Sequence, residues 1–137
     1  MSDLDNGTNA WIAAATTVPE WALIDIGVND TLAPATGQAA FEASLGSVLD
    51  KIHAAWPSCQ IRVAKVWARG RDALCDTVAG YIDNVLSTRA AFAAVGHDER
   101  VWMKGADDGA TMSYDGVHYS AAGNAECAAQ WATAMGY

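Results

Sequence analysis

The chain has 137 residues, enough for one domain built around one hydrophobic core. Apolar residues make up 52% and charged residues 18%, a balance that excludes a disordered chain. Lys plus Arg number 8 against 16 Asp plus Glu, and the resulting charge of −8 repels phosphate backbones and argues against a nucleic-acid partner.

Residues 8–16 read as a short helix. Trp21 to Ile26 is an apolar run ending at Gly27 and reads as a buried strand. Phe41, Leu45, Val48, Leu49, Ile52 and Trp56 recur on one face of a helix over 36–56, and Pro57 stops it. The β-branched stretch 60–66 predicts a second strand. Leu74, Val78, Ile82, Val85, Leu86 and Phe92 repeat the helical spacing over 73–92. A short strand is expected near Val101–Met103, then a Gly- and Asp-rich loop over 104–117. A closing helix over 120–135 runs through Ala122, Ala128, Trp131 and Met135. Strand–helix–strand–helix alternation predicts an α/β domain over 1–137, with parallel strands and right-handed crossovers. Function in such sheets sits at the C-terminal ends of the strands.

No apolar run reaches the ~18 residues that a membrane-spanning helix needs. The polar start Met-Ser-Asp-Leu-Asp lacks the basic region and apolar centre of a signal peptide, and nothing assigns a compartment. Cys59, Cys75 and Cys127 fit no zinc spacing, and their odd number leaves a free thiol. Cys59 and Cys75 flank the strand at 60–66. A strand of that length advances roughly 20 Å, whereas bridged Cα atoms lie within about 7 Å, so this pair is not expected to bridge.

Two constellations carry chemistry. Ile24-Asp25-Ile26-Gly27-Val28-Asn29-Asp30 brings a buried strand out into a glycine and an Asn-Asp pair. The Asn29 side-chain N–H there can donate to a developing oxyanion; the same pattern is also good turn chemistry. Tyr114-Asp115-Gly116-Val117-His118-Tyr119-Ser120 places an acid and a histidine three apart, ahead of a helix that Ser120 can cap. A carboxylate can hold the imidazole tautomer and leave the other ring nitrogen as a base. Alone, an Asp-x-x-His is more often a turn and a surface histidine.

In this order and context the two motifs resemble those of the SGNH (GDSL-type) hydrolase superfamily, over roughly residues 6–135. The resemblance implies a three-layer α/β/α sandwich, SGNH/flavodoxin-like, with a short, mostly parallel sheet. It implies ester or O-acetyl hydrolysis, with Asn29 and the Gly27 turn forming an oxyanion site and Asp115 and His118 completing a Ser-His-Asp triad. In that family the nucleophile lies in a Gly-Asp-Ser block after the first strand. No Gly-Asp-Ser occurs here, and only 20 residues precede Trp21. The expectation is a member shortened at its N-terminus, lacking that strand, a helix and the nucleophile. Asn6-Gly7 is what would remain of the second block, whose glycine N–H is another oxyanion donor.

Seven serines are present. Ser44, Ser47 and Ser87 fall in predicted helices, Ser58 in a turn and Ser120 at a helix start. Ser2 and Ser113 are the two considered near the site, and the nucleophile stays unassigned. Arg69, after the second strand, either contacts substrate or belongs to a loop in which Asp72 caps the next helix. His97-Asp98-Glu99-Arg100 is expected as a solvated loop, with a cleft wall as the other reading. His53 reads as an ordinary helical histidine. Asp107-Asp108-Gly109 lacks the alternating oxygens of a calcium loop, so no metal and no cofactor are assigned.

Two functions follow: an esterase for small acyl or acetyl esters, including those of carbohydrates, or a non-catalytic module that keeps the pocket without the reaction. The apolar strand at 21–26 would form an unprotected sheet edge, which predicts a homodimer or higher oligomer.

Overall fold

Three parallel strands, β1 (Trp21–Ile24), β2 (Gln60–Lys65) and β3 (Ala93–Asp98), lie side by side in that order in the computed structural model. The described residues are 2–32, 37–105 and 107–137, with side chains described from residue 7 onward except at 32. Ala22 pairs with Ile61, and Ile61 pairs with Ala93, so the strands are nearly level at their N-terminal ends.

The β-branched Ile61 and Val63 point to one face, where helices α3 (Gln38–Ala55) and α4 (Asp72–Ser87) cover them. Phe41, Leu45, Val48, Leu49 and Ile52 of α3 meet Val78, Ile82, Val85 and Leu86 of α4 in one apolar cluster. Fully burying a side chain of this size stabilises a fold by about 1.5–3 kcal/mol relative to exposure, before entropy is counted. Helix α1 (Ser2–Ala14) packs on α3, with Trp11 edge-on to Trp56 at 4.9 Å.

Strand alternation turns Arg62 to the opposite face. There its Nε donates to the Ala134 carbonyl of helix α6 (Ala121–Met135) at 3.3 Å. Gly96 of β3 lets the Trp131 ring of the same helix approach: a Cβ at position 96 would lie 2.3 Å from that ring. Helices thus cover both faces of a parallel sheet, as the alternation pattern predicts.

Several expectations change. The third strand is Ala93–Asp98, and the expected strand at Val101–Met103 is instead helix α5 (Glu99–Trp102) and its end. The Asp98 side chain accepts from Arg100 N at 3.0 Å and so starts that helix. Ala-Ala-Val-Gly has little intrinsic strand preference; pairing with β2 and the close approach of Trp131 decide it. Helix α4 stops at Ser87, and Phe92 stands after it, stacked on His53 with ring centroids 4.0 Å apart. The first helix begins at Ser2, well before the expected start. A short helix α2 (Val28–Leu32) follows directly on Gly27. In α6 the buried positions are Gly123 and Cys127, not the larger Trp131 and Met135. Cys59, Cys75 and Cys127 are all buried free thiols.

Candidate active site

The C-terminal ends of β1 and β3 open onto one cleft of about 460 Å³. Asp25, Val28 and Asn29 line it from beyond β1. Glu99 enters from beyond β3. Val117, His118 and Tyr119 come from the loop before α6.

Gly27 makes the turn that brings Asn29 there. Its φ is +110°, and a Cβ would lie 3.3 Å from the Phe41 ring, so both the backbone and the space call for glycine. Asp30 N returns to the Gly27 carbonyl at 3.0 Å, and the buried Thr31 hydroxyl donates to the Val28 carbonyl at 2.6 Å. Asn29 is therefore held in the first turn of α2 with its side chain exposed to the cleft.

The loop carrying Asp115 and His118 is fixed by its own polar groups. The buried Ser113 hydroxyl donates to the Gly109 carbonyl at 2.9 Å and accepts from Gly116 N at 3.0 Å. Tyr114 N donates to the His118 carbonyl at 3.2 Å, which closes a short antiparallel bridge. Ser120 caps α6, as expected, by accepting from Gly123 N at 3.1 Å. The Arg69 side chain donates to the Asp108 carbonyl at 2.7 Å, and its backbone N donates to the Gly116 carbonyl at 2.8 Å. Arg69 thus braces this loop from behind; it is not among the residues lining the cleft.

Asp115 takes three hydrogen bonds. Its Oδ1 accepts from Val117 N at 2.9 Å and His118 N at 2.8 Å, and its Oδ2 lies 2.7 Å from His118 Nδ1. The backbone N–H of His118, then its ring, hold the carboxyl down at about 2. An ionised carboxylate is acceptor-only, so Nδ1 carries the proton and Nε2 keeps its lone pair for a reacting group. Tyr114 stacks on the imidazole at 5.7 Å.

The remaining sequence candidates lie elsewhere. Gly7 sits within α1, where its N–H is committed to a carbonyl four residues back, so it offers no oxyanion donor. Ser113 is locked in the loop by the two bonds above. Ser44 and Ser47 lie in α3, Ser87 in α4, and Ser58 in the turn before β2. The side chain of Ser2 lies outside the described residues, and among the described residues no serine lines the cleft.

His97 and Glu99, expected in a solvated loop, are buried at 5% and 3% exposure. Glu99 Oε2 accepts from Trp67 N at 2.8 Å, while Oε1 meets the Tyr119 hydroxyl. Burial, then the charge of Asp25, pushes the Glu99 carboxyl up to about 7. Charged residues in sequence say nothing of burial; only the closure of β3 beside β2 carries them inside. Tyr119, Asp25 and Asn124 at the cleft were likewise not singled out, although Tyr119 adjoins His118.

Asp25, His97 and Cys127 bring one ligand-type atom each within 4.8 Å of one another, the one such set among the described residues. The Trp102 indole N–H donates to His97 Nδ1 at 3.1 Å, so neutral His97 carries its own proton on Nε2. That tautomer leaves the ring no free lone pair for a metal, and burial lowers its pKa.

A GDSL-like lipase/acylhydrolase family model matches residues 3–126. The chain belongs to that family. Its fold matches a family 3 carbohydrate esterase from Talaromyces cellulolyticus with a TM-score of 0.74 at 19% identity, covering 96% of this chain and 65% of that one. An acetylxylan esterase from Geobacillus stearothermophilus matches with a TM-score of 0.73 at 18% identity, covering 98% and 68%. A Clostridium thermocellum family 3 carbohydrate esterase matches with a TM-score of 0.71 at 21% identity, covering 96% and 62%. The GDSL-like chain thus spans about two thirds of the length of these esterases, and at such identities the likeness is one of fold. No curated protein matches it in sequence.

Proposed function

We propose that this chain carries the acid–base and oxyanion parts of an ester hydrolase acting on small acyl or O-acetyl esters, including those of carbohydrates. The observation that supports it most is the 2.7 Å bond between Asp115 and His118 Nδ1, set in a cleft that Asn29 also lines. His118 Nε2 would take the proton of an attacking hydroxyl as the new C–O bond forms at the ester carbonyl. Asn29 would donate to the oxyanion that results. On collapse, the C–O bond to the alcohol breaks and His118 returns the proton to the leaving oxygen. Asp115 holds the tautomer and stabilises the imidazolium. The carbohydrate and acetylxylan esterases of like fold favour an O-acetylated sugar as the alcohol portion.

Among the described residues no serine lines the cleft, which favours a second reading, a binding module of the same fold that keeps the pocket without the reaction. A fluorophosphonate probe separates the two. Stoichiometric labelling of one serine supports the hydrolase and names its nucleophile. An unlabelled chain that still binds acetylated xylo-oligosaccharides supports the module, and a chain that does neither refutes both.

A further inference from the structure

Tyr119 follows His118 directly, yet its hydroxyl meets two carboxyl groups. It donates toward Asp25 Oδ2 at 2.9 Å and is in contact with Glu99 Oε1. Asp25 stands just past β1 and Glu99 just past β3. Trp67, whose N–H donates to Glu99 Oε2 at 2.8 Å, stands just past β2. The set therefore touches the C-terminal end of every strand.

A hydroxyl carries one proton and can donate to one carboxyl only. A second contact, with an ionised carboxylate, sets lone pair against lone pair. One further proton resolves this: Glu99 O–H donates to Tyr119, and Tyr119 O–H donates to Asp25. Glu99 is the seat of that proton because it is 3% exposed, whereas Asp25 opens to the cleft and to water. The groups facing Glu99 agree. They are Asp25 from just past β1, Asp98 from its own strand end, Tyr119 from the loop and Cys127 from α6, with His97 beside them, its Nδ1 accepting from Trp102 and its Nε2–H without a hydrogen-bond partner among the described residues. The nearby cation, Arg100, is engaged by Asp98 and Asp76.

We propose that Glu99, Tyr119 and Asp25 form one proton-holding relay, and that Glu99 and Tyr119 are positioning residues that tie the His118 segment to the floor of the cleft. The proposal deepens the ester-hydrolase reading, because it concerns the placement of the base named there. Loss of the shared proton leaves two carboxylates competing for one hydroxyl, and the segment on which His118 rides is released from one of them.

The test reads backbone amides in the full chain by 15N NMR. Trp67 N–H reports Glu99 directly, and Val117 N–H reports the His118 segment. A His118→Gln background takes the imidazole out of the measurement. Between about pH 5 and 9, both amides are expected to shift together with a midpoint near the elevated carboxyl value of Glu99. Glu99→Gln abolishes both transitions. Tyr119→Phe keeps the Trp67 transition and abolishes that of Val117, because only the hydroxyl links the two. The relay is overturned if Val117 shows no transition while Trp67 does, or if the Val117 transition survives Glu99→Gln. Unchanged amide shifts for Ile61, Val63 and Ile82 confirm that each variant is folded. The measurement needs no turnover, so a chain without esterase activity leaves the relay standing. Failure of the relay equally leaves the Asp115–His118 pair untouched.

Discussion

At the residue scale, the strongest constraint is the one on His118. Asp115 accepts from the ring and from the backbone N–H of the residue it orients, so one carboxylate sets both loop and tautomer. Asp115→Asn keeps the size and loses the charge. Its kcat on 4-nitrophenyl acetate is expected to fall by roughly 10²–10⁴-fold with little change in KM, the range of general acid–base contributions. Asn29→Ala removes one oxyanion donor and is expected to lower kcat by about 10²–10³-fold. An equal rise in KM in either variant would show a binding role instead. Because the folded state depresses the Asp115 carboxyl to about 2, its contribution to stability is present above the ordinary carboxyl range. Thermal unfolding of wild type and Asp115→Asn should therefore converge as pH falls toward 2.

Glu99 has the opposite sign. Its carboxyl is raised in the folded state, so its stabilising proton is fully bound below the unfolded value and is lost as pH rises to about 7. The expected loss across that window is on the order of 3 kcal/mol. Chemical denaturation at about pH 5 and pH 8 should show that loss in wild type. Glu99→Gln should lack it. Equal slopes in the two proteins would mean that Glu99 is ionised in the fold throughout.

At the scale of elements, the two faces of the sheet are unequal. Helices α3 and α4 each bury six residues, whereas α6 buries Gly123 and Cys127 alone. Hydrogen exchange is expected to be faster in the middle of α6 than in α3 or α4, since local opening follows buried apolar contact. Comparable protection would show that α6 opens only with the whole domain. The seat of α6 on β3 depends on Gly96. Gly96→Ala places a methyl group 2.3 Å from Trp131, and the rigid ring must move. A destabilisation of about 1–3 kcal/mol is expected from denaturant unfolding. Within the site loop, Gly109 meets Trp67 in the same way, at 2.5 Å and with φ at +74°.

At the scale of the whole molecule, β1 pairs among the described residues with β2 alone, and Leu23 on it is 41% exposed. A row of strand N–H and C=O groups beside an apolar side chain favours pairing with a second copy of the same edge. Pairing of like edges is isologous and closes as a two-fold dimer. Sedimentation at micromolar concentration is expected to show a species of twice the 14.4 kDa chain mass. A single species at the chain mass would mean that the edge is left unpaired.

Local sequence determined the elements whose signal is local. The apolar faces of α3 and α4, the strand at 60–65, the Gly27 turn and the Ser120 cap are all consequences of spacing and side-chain chemistry within a few residues. The pairing of Asp115 with His118 is of the same kind, since three residues of one loop make it. Longer-range features were settled by the tertiary structure. Whether Ala93–Asp98 is a strand depends on an open edge of β2 and on a tryptophan 35 positions later. Whether Glu99 is solvated or buried depends on that pairing in turn. The meeting of Asp25, Glu99 and Tyr119 joins segments up to 94 residues apart, and no local pattern marks it. Burial and proton sharing are properties of proximity, and proximity between distant segments exists only once the sheet has closed.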